Sequence, residues 1–159
     1  MGLFNFLSRK EELQPPAEPE KRTLVKEDFT VVGAVYHKEE IALLKQANPD
    51  WKKSGKTLVS EGKVMQKIYH YSYVNKPVKI IPDDGSVYEK GALMVYIAGE
   101  HVGYIPDDMK DHVASILANR SIKYISAFIG GGEYKVVSNN GDAVKWDEHI
   151  RISVRIAYS

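Results

Sequence analysis

The chain has 159 residues, 43% of them hydrophobic, which is enough for one domain with a real core. Its formal charge is +1, from 22 Lys and Arg against 21 Asp and Glu, so no bulk field draws it to nucleic acid or to a membrane. It holds no cysteine, which excludes disulfides and thiolate metal sites and fits a reducing, cytoplasmic setting.

Residues 1–13 (MGLFNFLSRKEEL) read as a loose tail, or as a short docking helix with Leu3, Phe4, Phe6 and Leu7 on one side for a protein partner or a membrane surface. Residues 14–22 carry three prolines and little to bury, so 1–22 is expected to be a disordered tail and Pro-rich linker, with the folded domain at 23–159. No transmembrane segment is expected, because no apolar run approaches the ~18–20 residues of a membrane span. Arg9 and Lys10 follow the apolar start rather than precede it, against a secretory signal, and Phe6 stands where myristoylation needs Ser or Thr.

Residues 29–36 (FTVVGAVY) are β-branched and predict a strand. The spacing of Ile41, Leu43 and Leu44 predicts a short helix over 38–47, ended by Asn48-Pro49. Residues 51–62 are lysine-rich and ambiguous. Residues 63–74 (KVMQKIYHYSYV) predict one strand with Met65, Lys67, Tyr69, Tyr71 and Tyr73 on one face. A short strand over 77–81 ends at the turn Pro82-Asp83-Asp84-Gly85.

Residues 91–106 (GALMVYIAGEHVGYIP) predict a hairpin: a strand over 92–97, a turn at Ala98-Gly99-Glu100 and a strand over 101–105 stopped by Pro106. A helix over 107–119 follows, with Asp107 or Asp108 as N-cap and Met109, Val113, Ile116 and Leu117 on one face. Then come a strand over 121–129, a loose turn at Gly130-Gly131-Gly132, a strand over 133–138 and a hairpin turn at Asn140-Gly141. The last strand alternates Ile150, Ile152, Val154, Ile156 and Tyr158 with Arg151, Ser153, Arg155 and Ala157, so one face goes to core and one to water. This order has no βαβ rhythm. It predicts a mainly β protein with short helices, folded as a small antiparallel barrel.

No motif carries enzyme chemistry, and no cofactor or metal is expected. Gly55-Lys56-Thr57 lacks the earlier glycine of a phosphate loop, where Asp50 stands, and no strand leads into it. His37, His70, His101, His112 and His149 have no ligand spacing. Charge is uneven, however. Between Lys45 and Lys79 eight Lys face only Asp50 and Glu61, and Trp51, Tyr69, Tyr71 and Tyr73 are interleaved with them. Lysines for phosphates and aromatic faces for bases are the equipment of a single-strand binder. A solvated lysine surface over an aromatic core gives the same pattern.

Three stretches resemble the HIRAN domain family, whose stand-alone members occur in bacteria and phages. They are residues 31–37 (VVGAVYH), 87–95 (VYEKGALMV) and 99–106 (GEHVGYIP), the last being the most specific. The resemblance implies an OB-like or SH3-like barrel, with a Lys-rich insertion near 45–74. It also implies a non-enzymatic module that binds single-stranded DNA or DNA 3′ ends. Carried over by position, Tyr36, His37 and Tyr88 would stack on bases, Glu89 would accept from the terminal sugar, and Tyr104 would form the wall. Lys52, Lys53 and Lys56 would meet the phosphates. Val35 stands where DNA-binding members have Arg, Asp107 stands near their phosphate-facing Lys, and Gly91 replaces the usual Asn. These departures give the other expectation, a protein-interaction adaptor whose nucleic-acid site has decayed.

Overall fold

The computed structural model describes residues 22–84 and 91–159. Of the tail and linker expected at 1–22, residues 1–21 lie outside them, as do residues 85–90, which include 87–90 of the second motif.

The molecule is built on one long hairpin of two strands of 16 residues, β8 (Ile122–Val137) and β9 (Ala143–Tyr158). Its turn is the Asn-Gly turn read in the sequence, with the Gly141 N–H donating to the Ser138 carbonyl at 2.9 Å. The alternation holds from 151 to 156, with Ile152, Val154 and Ile156 buried and Arg151 and Arg155 exposed, but Ala157, expected on the water face, is buried as well. On the base of the hairpin, β1 (Val25–Thr30) pairs antiparallel with β9, from Val25 opposite Tyr158 to Thr30 opposite Ser153. Arg155 clasps Asp28 across this pair with two hydrogen bonds, at 2.7 and 2.8 Å.

A three-stranded sheet of β5 (Val78–Pro82), β6 (Leu93–Ile97) and β7 (Glu100–Tyr104) covers this base. Val95, Ile97 and Val102 join Phe29, Val154 and Ile156 in one core. The hairpin predicted at 91–106 is present. Its two-residue turn puts Ala98 at φ +48° and Gly99 at φ +83°, the left-handed pair that suits the twist of an antiparallel ribbon. The sheets are tied together where Val32 and Tyr104 exchange both backbone hydrogen bonds at 2.9 Å. That contact needs Gly103: a Cβ there would lie 2.4 Å from the Val32 carbonyl oxygen and 2.6 Å from Val31 Cγ1.

The distal half of the long hairpin carries its own elements. These are β3 (Ile68–Tyr69) on the β8 edge, a 3-10 turn at Pro49–Lys52, and helix α2 (Gly55–Ser60). Leu58, Ile68 and Val137 form a second, small core there. Between the halves, β2 (Lys45–Ala47) and β4 (Tyr71–Tyr73) make a two-stranded sheet. Helix α1 (Lys38–Ala42) packs near β7, and α3 (Lys110–Asn119) buries Val113 and Ile116 against the main core.

The chain is therefore mainly β and antiparallel, as its sequence predicts, but among the described residues no sheet closes into a barrel. Long-range pairing also redraws several elements. The strand expected over 29–36 stops at Thr30, Gly33 turns at φ +79°, and Ala34–Tyr36 form a 3-10 turn. The helix expected over 38–47 stops at Ala42, because the Leu44 carbonyl accepts from the Val74 N–H and 45–47 is drawn into pairing with β4. The single strand expected over 63–74 is two short ones, with Met65 at φ +58° before them and His70 between them. Gly130-Gly131-Gly132 is not a turn. β8 runs through it with a bulge, in which His149 and Ile150 face the single residue Gly131. Gly131 sits at φ +98°, and a Cβ there would meet the His149 carbonyl oxygen at 2.1 Å. Helix α3 begins at Lys110 behind Met109, with no side-chain cap, so neither Asp107 nor Asp108 caps it.

Candidate nucleic-acid interface

The lysine-rich segment folds into a column of rings. Asn48 starts it: its side chain accepts from the Asp50 N–H at 3.1 Å and donates to the Tyr69 carbonyl at 2.8 Å. That staples the Pro49–Lys52 turn to β3 and brings Trp51 over His70. The Trp51 and His70 rings stack at 4.4 Å and 11°, and His70 stacks on Tyr71 at 4.1 Å and 17°.

Cations close both ends of the column. The Lys45 amine lies 4.8 Å from the Tyr71 ring centre, and those of Lys135 and Lys145 each lie 5.3 Å from that of Trp51. Lys135 is fixed, since its amine donates to the Trp51 carbonyl at 2.7 Å and the Lys53 carbonyl at 3.1 Å. It is the one buried charged residue among those described. Burial, and then the nearby Lys145 charge, push its pKa below the ordinary lysine value. Lys45 and Lys145 hold no carboxylate within ion-pair distance among the described residues.

Tyr71 and Lys45 also line a cleft of about 680 Å³. Tyr73, Lys38, Ile41 and Val35 share its lining, and Glu133, Asp147 and Glu148 supply acidic groups. Burial pushes the Tyr73 phenol up, so it stays protonated and able to donate. The Tyr69 hydroxyl, and then Lys67 at 3.0 Å, hold the Glu148 carboxyl below its usual value. The cleft thus offers an aromatic face and the Lys38 and Lys45 side chains beside hydrogen-bond acceptors.

The residues named from sequence divide into separate groups. His37 and Tyr104 do come together, ring centres 6.1 Å apart, with His101 packed 4.2 Å from His37 and 4.9 Å from Tyr104. Tyr96 stacks on His101 at 5.1 Å, and His37 Nδ1 is buried with no hydrogen-bond partner. Tyr36, beside His37 in sequence, is 86% exposed on the 3-10 turn. Tyr88 and Glu89 lie outside the described residues.

Lys52, Lys53 and Lys56 sit on the distal elements, around the column rather than beside His37. Lys53 is committed to Asp50 and Glu61, at 2.9 Å each, and Lys63 reaches the same two acids. Lys52 and Lys56 make no ion pair among the described residues and remain open to phosphate. Asp107 is exposed, and its one ion-pair contact among the described residues is with Lys110, at 3.8 Å.

Sequence reasoning named the basic-aromatic stretch but not the members that matter within it, His70 and Lys45. Lys135 and Lys145 come from the long hairpin, outside any local pattern, and only cross-strand pairing of the two places them under Trp51. Among the described residues no cluster of His, Asp or Glu could hold a metal, and no helix is long and apolar enough to cross a membrane. Comparison of the chain with protein-family models, with curated proteins and with solved structures gives no match.

Proposed function

We propose that this protein is a non-enzymatic module that binds single-stranded nucleic acid on the ring column and the cleft beside it. The observation that supports this best is the Trp51–His70–Tyr71 stack closed at both ends by lysine amines. Magnitudes favour an exchange at the Tyr71 end. A lysine over an exposed ring contributes about 0.5–1 kcal/mol, whereas a base stacked on an aromatic side chain contributes about 1–3 kcal/mol. A base that enters the cleft therefore displaces the Lys45 amine from Tyr71, and the freed amine meets the adjoining phosphate. Lys38, Lys52 and Lys56 extend the backbone path, while Glu133 and Asp147 accept from base amino or sugar hydroxyl groups. Lys135 stays in place, because its two carbonyl acceptors hold it.

The HIRAN resemblance makes DNA, and its 3′ ends, the natural ligand to try first. It would place a second contact at Tyr36, His37, Tyr88, Glu89 and Tyr104. Labelled single strands ending in a 3′ hydroxyl, a 3′ phosphate or no free end separate the two sites. Column binding is indifferent to the end and weakens about tenfold or more in Tyr71→Ala. End recognition prefers the hydroxyl and is lost in Tyr88→Ala.

A second reading, a protein-interaction adaptor, is favoured by the exposure of Val35, Tyr36 and Leu43, at 61%, 86% and 70%. Amide shift mapping with an oligonucleotide decides between them. Shifts at Trp51, His70 and Tyr71 support the nucleic-acid reading, and no shifts at millimolar oligonucleotide would remove it.

A further inference from the structure

Among the described residues no strand pairs with the outer edge of β9 in the distal half of the long hairpin, over 143–151, and β1 covers β9 only from Ser153 to Tyr158. The Ser138 N–H donates to the Asp142 carbonyl at 2.9 Å, so even-numbered residues of this arm turn their backbone groups towards β8. Ala143, Lys145 and Asp147 therefore turn theirs outward. An open edge of this kind is a template for another strand unless the sequence blocks it.

The blocking residues here are self-complementary. Val144 and Trp146, 53% and 58% exposed, lie on one face of the arm, and Lys145 and Asp147 lie on the other. Neither Lys145 nor Asp147 has an ion-pair partner among the described residues. We propose that a second copy of this chain pairs with this edge, antiparallel, about a two-fold axis normal to the sheet at Trp146.

That register sets Lys145 opposite Asp147 of the second copy, and Asp147 opposite its Lys145. Both pairs use the outward backbone groups, so each exchanges a full set of ladder hydrogen bonds. The Trp146 residues face each other at a non-hydrogen-bonded position, where Cα atoms approach to about 4.5 Å and side chains pack closest. A lone edge lysine would repel its symmetry mate, and the aspartate two residues on converts that repulsion into attraction. The inference does not rest on the nucleic-acid reading, but Lys145 and Asp147 take part in both, so the association is read on the protein alone, without nucleic acid.

Sedimentation of the full chain is expected to show a monomer–dimer equilibrium. Asp147→Lys should weaken it by about tenfold or more, since like charges directly opposite are destabilising, and the double swap Lys145→Asp with Asp147→Lys should restore it. The register has its own test, because the chain has no cysteine. Trp146→Cys should oxidise to a linked dimer, its Cα separation falling within disulfide reach. Val144→Cys should not, lying too far from its symmetry mate. A chain that stays monomeric at high concentration overturns the proposal. So does a double swap no better than Asp147→Lys, or linkage at Val144 as ready as at Trp146.

Discussion

Ala98 carries a conformational cost and His101 a protonation cost. Ala98 occupies the left-handed region at φ +48°, which costs an L residue about 1–2 kcal/mol and suits Asn at the first position of an Asn-Gly turn. Ala98→Asn is expected to raise stability by about 0.5–1 kcal/mol, seen as a higher urea midpoint at unchanged slope; an unchanged or lower midpoint contradicts the turn assignment. His101 is the pH-sensitive position. Burial, and then the neighbouring His37, push it below the ordinary 6.5, while its Nε2 donates to the Gly103 carbonyl at 3.0 Å. As pH falls through 6.5 the unfolded chain takes up the proton and the folded one resists, so stability declines with falling pH. Glu40 and Asp83 oppose the shift without cancelling it. Urea titrations between pH 7.5 and 5.5 should show this loss in the native sequence and less of it in His101→Gln. Equal losses would assign the effect elsewhere. Carboxylates such as Glu27, held low by the Tyr158 hydroxyl and then by burial-opposed contacts to His112, act only at more acid pH.

At the scale of elements, what could be read from sequence followed how local the determinants are. The 91–106 hairpin was legible because its turn, alternation and stop lie within one short stretch. The last strand was legible for the same reason, since its period-two pattern is unbroken from Ile150 to Ile156. The 38–47 helix was misjudged because Leu44 is buried by pairing with Val74, a partner thirty residues away in sequence. The Gly130–Gly132 run was misjudged because glycine marks bulges and turns alike, and only the extra β9 residue opposite Gly131 decides which it is. Gly103 is the element-scale test. Gly103→Ala forces a methyl against the Val32 carbonyl and breaks the bridge between the two sheets. A loss of about 2–3 kcal/mol is expected, with amide protection at Val32 and Tyr104 reduced first. A neutral substitution would mean that the bridge contributes little.

The whole molecule is one hairpin with a core at each end, the larger one under β1, β6 and β7 and the smaller around Leu58. The candidate site lies against the distal half, and this explains why composition gave so little warning of it. A net charge of +1 conceals a local group of eight lysines, of which the fold pairs Lys53, Lys63 and Lys67 with Asp50, Glu61 and Glu148. What survives is a handful of amines grouped about three stacked rings. If two copies pair along β9 about an axis normal to the sheet, both ring columns fall on the same side of a continuous sheet, and a longer strand should bind more tightly than a short one. The residues carried over from the family resemblance were legible only in part, since His37 and Tyr104 meet across α1 and β7 while the lysines gather elsewhere.

Fluorescence anisotropy of a labelled single-stranded oligonucleotide, titrated with the full chain at low and moderate salt, tests whether the ring column binds nucleic acid. Binding is expected at low salt, where phosphate contacts are strongest, weakening as salt rises with a slope of only a few ions. Tyr71→Ala, folded as judged by circular dichroism, should lose about tenfold or more, the contribution of about one stacked base. No binding at low salt, or binding that Tyr71→Ala leaves intact, would contradict the account.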